Sequence, residues 1–139
     1  MVENKPTLGY WKIRGLGAQI RYLLTHCGVD FEDKVYDVSK NEDGSWDRSD
    51  WTNAKPNMGM PFPNLPYYID GDLKLSETNA IMKHICRKHK PELLGTTLEE
   101  QANMDMMEGI VGGLKGAATM PCYMGTPRED IIKDLTPKA

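Results

Sequence analysis

Thr7-Leu8-Gly9-Tyr10-Trp11, the turn Arg14-Gly15-Leu16-Gly17, the series Ile20, Leu23, Leu24 and Cys27 ahead of Gly28, and then Phe31 to Val38 make up the stretch that decides the fold. The first five residues read as a short strand that ends at a glycine-bearing turn. Ile20, Leu23, Leu24 and Cys27 stand at i, i+3, i+4 and i+7, one face of a helix, and Gly28 supplies its C-terminal stop. Phe31 to Val38 alternates well enough for a second strand. Strand, helix and strand within about 30 residues predict a right-handed βαβ crossover with parallel strands.

Downstream, the polar residues Ser39 to Trp51 interrupt the pattern and read as a surface loop. Phe62-Pro63-Asn64-Leu65-Pro66 leads into Tyr67-Tyr68-Ile69. A turn at Asp70-Gly71-Asp72 and the run Leu73-Lys74-Leu75 complete an antiparallel hairpin. A helix follows from about Glu77 to His89, with Ile81 and Ile85 on one face and Ser76 available as its cap. The order βαβ, loop, ββα predicts an α/β domain over residues 1–89, a four-stranded mixed sheet with helices packed on it. Residues 90–95, with Pro91 and Gly95, form a linker.

Residues 96–139 then read as part of an all-helical domain. Thr96-Thr97-Leu98-Glu99-Glu100 offers a capping box, and Leu98, Ala102, Met106 and Ile110 recur every fourth residue, widened by Met107, Val111 and Leu114. Gly112, Gly113 and Gly116 weaken this long helix by up to about 1 kcal/mol each relative to alanine. Pro121 is expected to end it. Thr126-Pro127-Arg128-Glu129 starts another helix, with proline at the first helical position. An amphipathic helix needs a partner for its apolar stripe, so either something is missing or another subunit supplies it.

Composition narrows the function classes. A chain of 139 residues can bury one core, or one small domain and a fragment of another. Its net charge of −3, with scattered basic residues, gives no reason to expect nucleic acid. The densest basic group, Arg87-Lys88-His89-Lys90, reads as a helix C-terminus, where cations favour the dipole. No apolar run approaches the roughly 18 residues of a membrane span, and Met1-Val2-Glu3-Asn4-Lys5 leads into no signal core, so a cytoplasmic protein is expected. Cys27, Cys86 and Cys122 include no CxxC pair, which argues against disulfides and zinc. His26, His84 and His89 lack metal-ligand spacing, so no metal is expected.

Taken together, Leu8-Gly9-Tyr10-Trp11, Asp47-Arg48-Ser49-Asp50-Trp51, Phe62-Pro63-Asn64-Leu65-Pro66-Tyr67 and Asn79-Ala80-Ile81 closely resemble the mu-class glutathione transferases. Order and spacing fit through residue 100, with weaker matches beyond. The resemblance implies a thioredoxin-like glutathione-binding domain, followed by a helical domain cut short. It implies conjugation of glutathione to hydrophobic electrophiles, with glutathione as co-substrate and no cofactor. Such chemistry needs the thiolate, because the thiolate is the nucleophile and a free thiol has a pKa near 8.5. A hydroxyl aimed at sulfur stabilises that anion, and the family places the catalytic tyrosine at Tyr10.

By the same resemblance Trp11, Arg48, Trp51 and Lys55 lie along the glycyl end of glutathione, where an indole NH and cations suit a carboxylate. Asn64 and Leu65 precede Pro66, which the family holds cis, so that Leu65 offers its backbone to the cysteinyl residue. Glu77 and Thr78 take the γ-glutamyl end. Glu77-Thr78 departs from the usual Gln-Ser and sets an anion where the ligand carries its ammonium. Tyr123 matches a tyrosine that faces the electrophile, and Phe62 matches an aromatic key inserted into a second subunit of a homodimer. Gly113 stands where the family usually has an aspartate reaching the neighbouring subunit's glutathione. The rival reading is a glutathione-binding protein with weak or no transferase activity. Thioredoxin-like redox catalysis lacks its cysteine after the first strand.

Overall fold

The computed structural model of the chain describes residues 5–135. Between Leu93 and Leu94 the chain divides into two compact units. In the first, β1 (Thr7–Trp11) leads through a turn into α1 (Gly17–His26) and then β2 (Glu32–Tyr36). β1 and β2 are parallel, from Thr7 opposite Glu32 to Trp11 opposite Tyr36, so the βαβ crossover is present. α1 stops where expected. Gly28 turns to φ +68°, its N–H bonds to the Thr25 carbonyl, and the Val29 N–H reaches back to Leu24. A side chain would resist that conformation.

The stretch from Ser39 to Trp51 is more structured than its polarity suggests. β3 (Ser39–Lys40) and β4 (Trp46–Asp47) pair as a small antiparallel ribbon, and α2 (Ser49–Ala54) follows. A six-residue helix that buries one side chain, Trp51, leaves no periodicity to read. β5 (Tyr67–Asp70) and β6 (Leu73–Ser76) form the expected hairpin. The sheet order is β2-β1-β5-β6, mixed and four-stranded, which together with its covering helices is the thioredoxin-like arrangement. α3 (Thr78–His89) is preceded by Glu77, not Ser76, as its N-cap, and that cap makes no side-chain bond. The Ser76 hydroxyl is engaged elsewhere, since its Oγ donates to the Phe62 carbonyl at 2.7 Å. Pro91–Leu94 makes a 3-10 turn.

Two buried clusters lie on this sheet. Leu8, Ile20, Leu24, Tyr68, Ile81 and Ile85 fill the space under α1 and α3, with Leu75 and Met82 packed against them. Tyr10, Tyr36, Trp51, Leu65 and Tyr67 form the second, which brings α2 against the sheet. Alternation along β5 sends Tyr68 to the first cluster and Tyr67 to the second.

In the second unit, α4 (Leu98–Tyr123) opens on a complete capping box. The Glu100 N–H donates to Thr97 Oγ1 at 3.1 Å, and the Glu100 carboxylate accepts the Thr97 and Thr96 N–H groups. Pro121 does not end this helix; it lies inside the last turn. Proline removes its own N–H, yet the Met124 N–H still bonds to Met120 and the Thr126 N–H to the carbonyl of Pro121 itself. α5 (Arg128–Leu135) begins one residue after Pro127. None of the described residues of α4 is buried; Met106, Ile110 and Leu114 of the expected stripe are all more than half exposed.

Candidate active site

The C-terminal ends of β1, β2 and β6 and the N-terminal end of β5 coincide. Gly9 pairs with Tyr67, Tyr67 pairs with Ser76, and Trp11 pairs with Tyr36. Tyr10 and Trp11, Leu65, and Glu77 with Thr78 therefore gather at one end of the sheet, although they come from well-separated parts of the sequence.

Tyr10 is buried to 6% exposure, with its ring against the start of α1. A Cβ on Gly15 would come within 2.6 Å of the Tyr10 hydroxyl oxygen, and one on Gly17 within 2.6 Å of its ring. The two glycines of Arg14-Gly15-Leu16-Gly17 thus make the space in which Tyr10 lies. Between them, the Leu16 N–H donates to the Tyr10 hydroxyl at 3.0 Å. An oxygen that accepts this bond keeps its own proton free to donate elsewhere. Such an O–H, held by a backbone donor, is suited to meet a developing anion.

α2 carries three of the candidate residues. Trp51 is buried in the second cluster, Arg48 is the N-cap and Lys55 the C-cap, both with exposed side chains. The Asp50 carboxylate accepts the Asp37 N–H at 2.8 Å, which ties α2 to the end of β2. Trp11, half-buried, packs against the same cluster. Asn64 is exposed and Leu65 buried, and the Leu65–Pro66 bond is cis. The Ser76–Phe62 bond and a second from Lys74 Nζ to the Met58 carbonyl fasten this loop to β6. Glu77 is exposed at φ +70°, and the buried Thr78 opens α3 with the free N–H groups of a helix N-terminus beside it. Helix N-termini favour anions.

Two further candidates are exposed. Phe62 lies in the loop and is 82% exposed, and Tyr123 closes α4 in the second unit, 76% exposed. Gly113 is a residue of α4 with open space where a side chain would begin.

Sequence reasoning passed over Tyr36 and Tyr67. Their hydroxyls meet at 2.9 Å within the buried cluster, and burial, with that bond, raises the Tyr67 pKa. Trp51 stacks on Tyr67 (6.0 Å, 23°) and meets Tyr36 edge-on (5.2 Å, 70°). The available signal was Gly9: a Cβ there would sit 2.0 Å from the Tyr67 ring, so glycine is what lets that ring lie over β1.

Comparison with known proteins agrees with this fold. Residues 6–87 match the glutathione S-transferase N-terminal domain. A glutathione S-transferase of Dermatophagoides pteronyssinus is 46% identical over 120 residues, 86% of this chain and 53% of that protein. Glutathione S-transferase Mu 1 of Bos taurus is 45% identical over 116 residues, 84% of this chain and 51% of the relative. The crystal structure of the glutathione S-transferase Blo t 8 superposes with a TM-score of 0.79 at 32% identity, over 93% of this chain and 56% of that one. The chain thus spans about half the length of the curated relatives it matches. With a matched N-terminal domain, relatives of this identity and a sheet end built as described, the chain belongs to the glutathione S-transferase family.

Proposed function

We propose that this protein binds glutathione at the end of its sheet and transfers it to hydrophobic electrophiles. The observation that carries the reading is the Tyr10 hydroxyl, fixed by the Leu16 N–H and left with its own proton to donate. Glutathione loses its thiol proton to solvent, and the Tyr10 O–H donates a hydrogen bond to the resulting sulfur anion. The thiolate then forms a carbon–sulfur bond to the electrophile, whose leaving group departs with the electron pair. Trp11, Arg48, Trp51 and Lys55 hold the glycyl carboxylate. Asn64 and Leu65 hold the cysteinyl backbone, and Glu77 with Thr78 the γ-glutamyl group. Tyr123 assists on the electrophile. Glutathione is the co-substrate, and the reaction needs no cofactor or metal.

The same reading makes the protein a cytoplasmic detoxification enzyme that works as a homodimer keyed by Phe62, with neither nucleic acid nor membrane as partner. No helix among the described residues is long and apolar enough to cross a membrane. A second reading, glutathione binding with little conjugation, is favoured by the exposure of α4 and of Tyr123, the helical side that an electrophile would use.

Tyr10→Phe removes one hydroxyl and almost no volume. The thiolate absorbance of the glutathione complex, titrated against pH, should move toward the free-thiol value near 8.5. An unchanged titration would remove Tyr10 from the mechanism. Wild-type thiol activation without turnover of 1-chloro-2,4-dinitrobenzene would select the second reading.

A further inference from the structure

We propose that Tyr36 and Tyr67 are positioning residues for the glycyl end of glutathione, acting through Trp51 and α2 without touching the ligand. The proposal rests on the glutathione-binding reading above.

α2 is held by few contacts: the Asp50 carboxylate accepts the Asp37 N–H at 2.8 Å, and Trp51 sits in the second cluster. It is six residues long, its N-cap makes no side-chain bond, and it buries one side chain, Trp51. Short helices gain their stability from packing, not from internal hydrogen bonds. Yet the two cations assigned to the glycyl carboxylate, Arg48 and Lys55, sit at its two ends. Their direction therefore depends on how Trp51 is seated, alongside the Asp50 bond to the end of β2.

That seat is made by two rings from different strands. Tyr67 of β5 stacks on the indole and Tyr36 of β2 meets it edge-on, so the ring is restrained in two directions. The seat itself is fixed by the hydroxyl bond between Tyr36 and Tyr67, which are 4% and 3% exposed. β1 lies between β2 and β5 in the sheet, so this bond spans it from one neighbour to the other. Gly9 of β1 allows the crossing, since any Cβ there would strike the Tyr67 ring. A buried bond of this kind holds its partners strongly, because a low-dielectric interior strengthens it.

The test compares two ligands on the full chain by calorimetry: glutathione, and γ-glutamylcysteine, which lacks the glycyl residue. Tyr36→Phe removes the bond and leaves the Tyr67 hydroxyl buried without a partner. The double variant Tyr36→Phe/Tyr67→Phe removes both hydroxyls and so should regain the stability that the single variant loses. In both variants, glutathione should bind roughly three- to tenfold more weakly, the affinity equivalent of one hydrogen bond. γ-Glutamylcysteine should bind as it does to the wild type.

Equal weakening of both ligands, or recovery of glutathione affinity together with stability in the double variant, would reduce the pair to ordinary packing and overturn the proposal. Unchanged glutathione affinity in both variants would do the same. Failure of the underlying reading looks different: the wild-type chain would then show no preference for glutathione over the dipeptide.

Discussion

Glu77 is the only non-glycine residue at positive φ among the described residues, and it stands between β6 and α3 at the γ-glutamyl position. Such backbone costs about 1–3 kcal/mol and concentrates at functional sites. Stability and binding should therefore separate at this residue. Glu77→Gly relieves the strain, whereas Glu77→Ala keeps it, so the glycine variant should unfold in urea with about 1 kcal/mol more stability than the alanine variant. Both lose the anion opposite the ligand's ammonium, and calorimetry should show glutathione binding weakened by about 1–3 kcal/mol in each. Equal stabilities would mean that the backbone is not strained. Tyr68 offers a second contrast. It is fully buried, its hydroxyl meets no hydrogen-bond partner among the described residues, and burial pushes its pKa up to about 12. Tyr68→Phe should be neutral or stabilising by about 1 kcal/mol in a urea titration. A loss of that size would reveal a partner such as a buried water.

Between elements, Asp70 joins the end of β5 to α3. Its carboxylate takes both the Lys88 ammonium, at 2.8 and 2.6 Å, and His84 Nε2, at 3.2 Å. Burial alone would raise the Asp70 pKa, but the hydrogen bonds from Lys88 and His84 outweigh it and the net shift is downward. A carboxylate whose folded pKa is depressed contributes stability above its unfolded value, near 3.9, and loses it as pH falls through the folded one. The contact should thus stabilise the fold fully at neutral pH and fade below about pH 4. Asp70→Asn should lower the urea midpoint at pH 7 and leave the variant with a flatter acid limb than the wild type. Parallel acid limbs in the two proteins would show that other carboxylates govern acid unfolding.

On the scale of the whole molecule, the two units differ in how they treat apolar surface. The first has two buried clusters, whereas the described part of α4 buries nothing and exposes Met106, Ile110 and Leu114. Contiguous apolar surface of this kind drives association. In sedimentation, the wild-type chain should gain mass with concentration, and Ile110→Lys/Leu114→Lys should associate more weakly. Glutathione affinity should be the same in both, because the proposed anchors belong to the first unit. Amide exchange should be slow in α3 and fast in α4. A wild-type chain that stays monomeric at high concentration, with α4 as protected as α3, would contradict this.

Local signals in the sequence were enough for the strands β1, β5 and β6, for α1 with its Gly28 stop, for the parallel crossover and for the Thr97–Glu100 capping box, since each depends on neighbours in the chain. The composite of short motifs was also enough for the family. α2 was not legible, because a six-residue helix with one buried side chain has no period. Nor was the Glu77 cap, since positive φ there is imposed by the bend between β6 and α3 and no residue type announces it. Pro121 misled for a related reason: proline forfeits one bond, and the later carbonyl bonds continue the turn. Tyr10 could be named from its motif, but its bond to Leu16 and the space left by Gly15 and Gly17 exist only once the loop folds back on β1. The Tyr36–Tyr67 pair joins residues 31 apart in sequence on strands that β1 separates, so only the assembled sheet decided it.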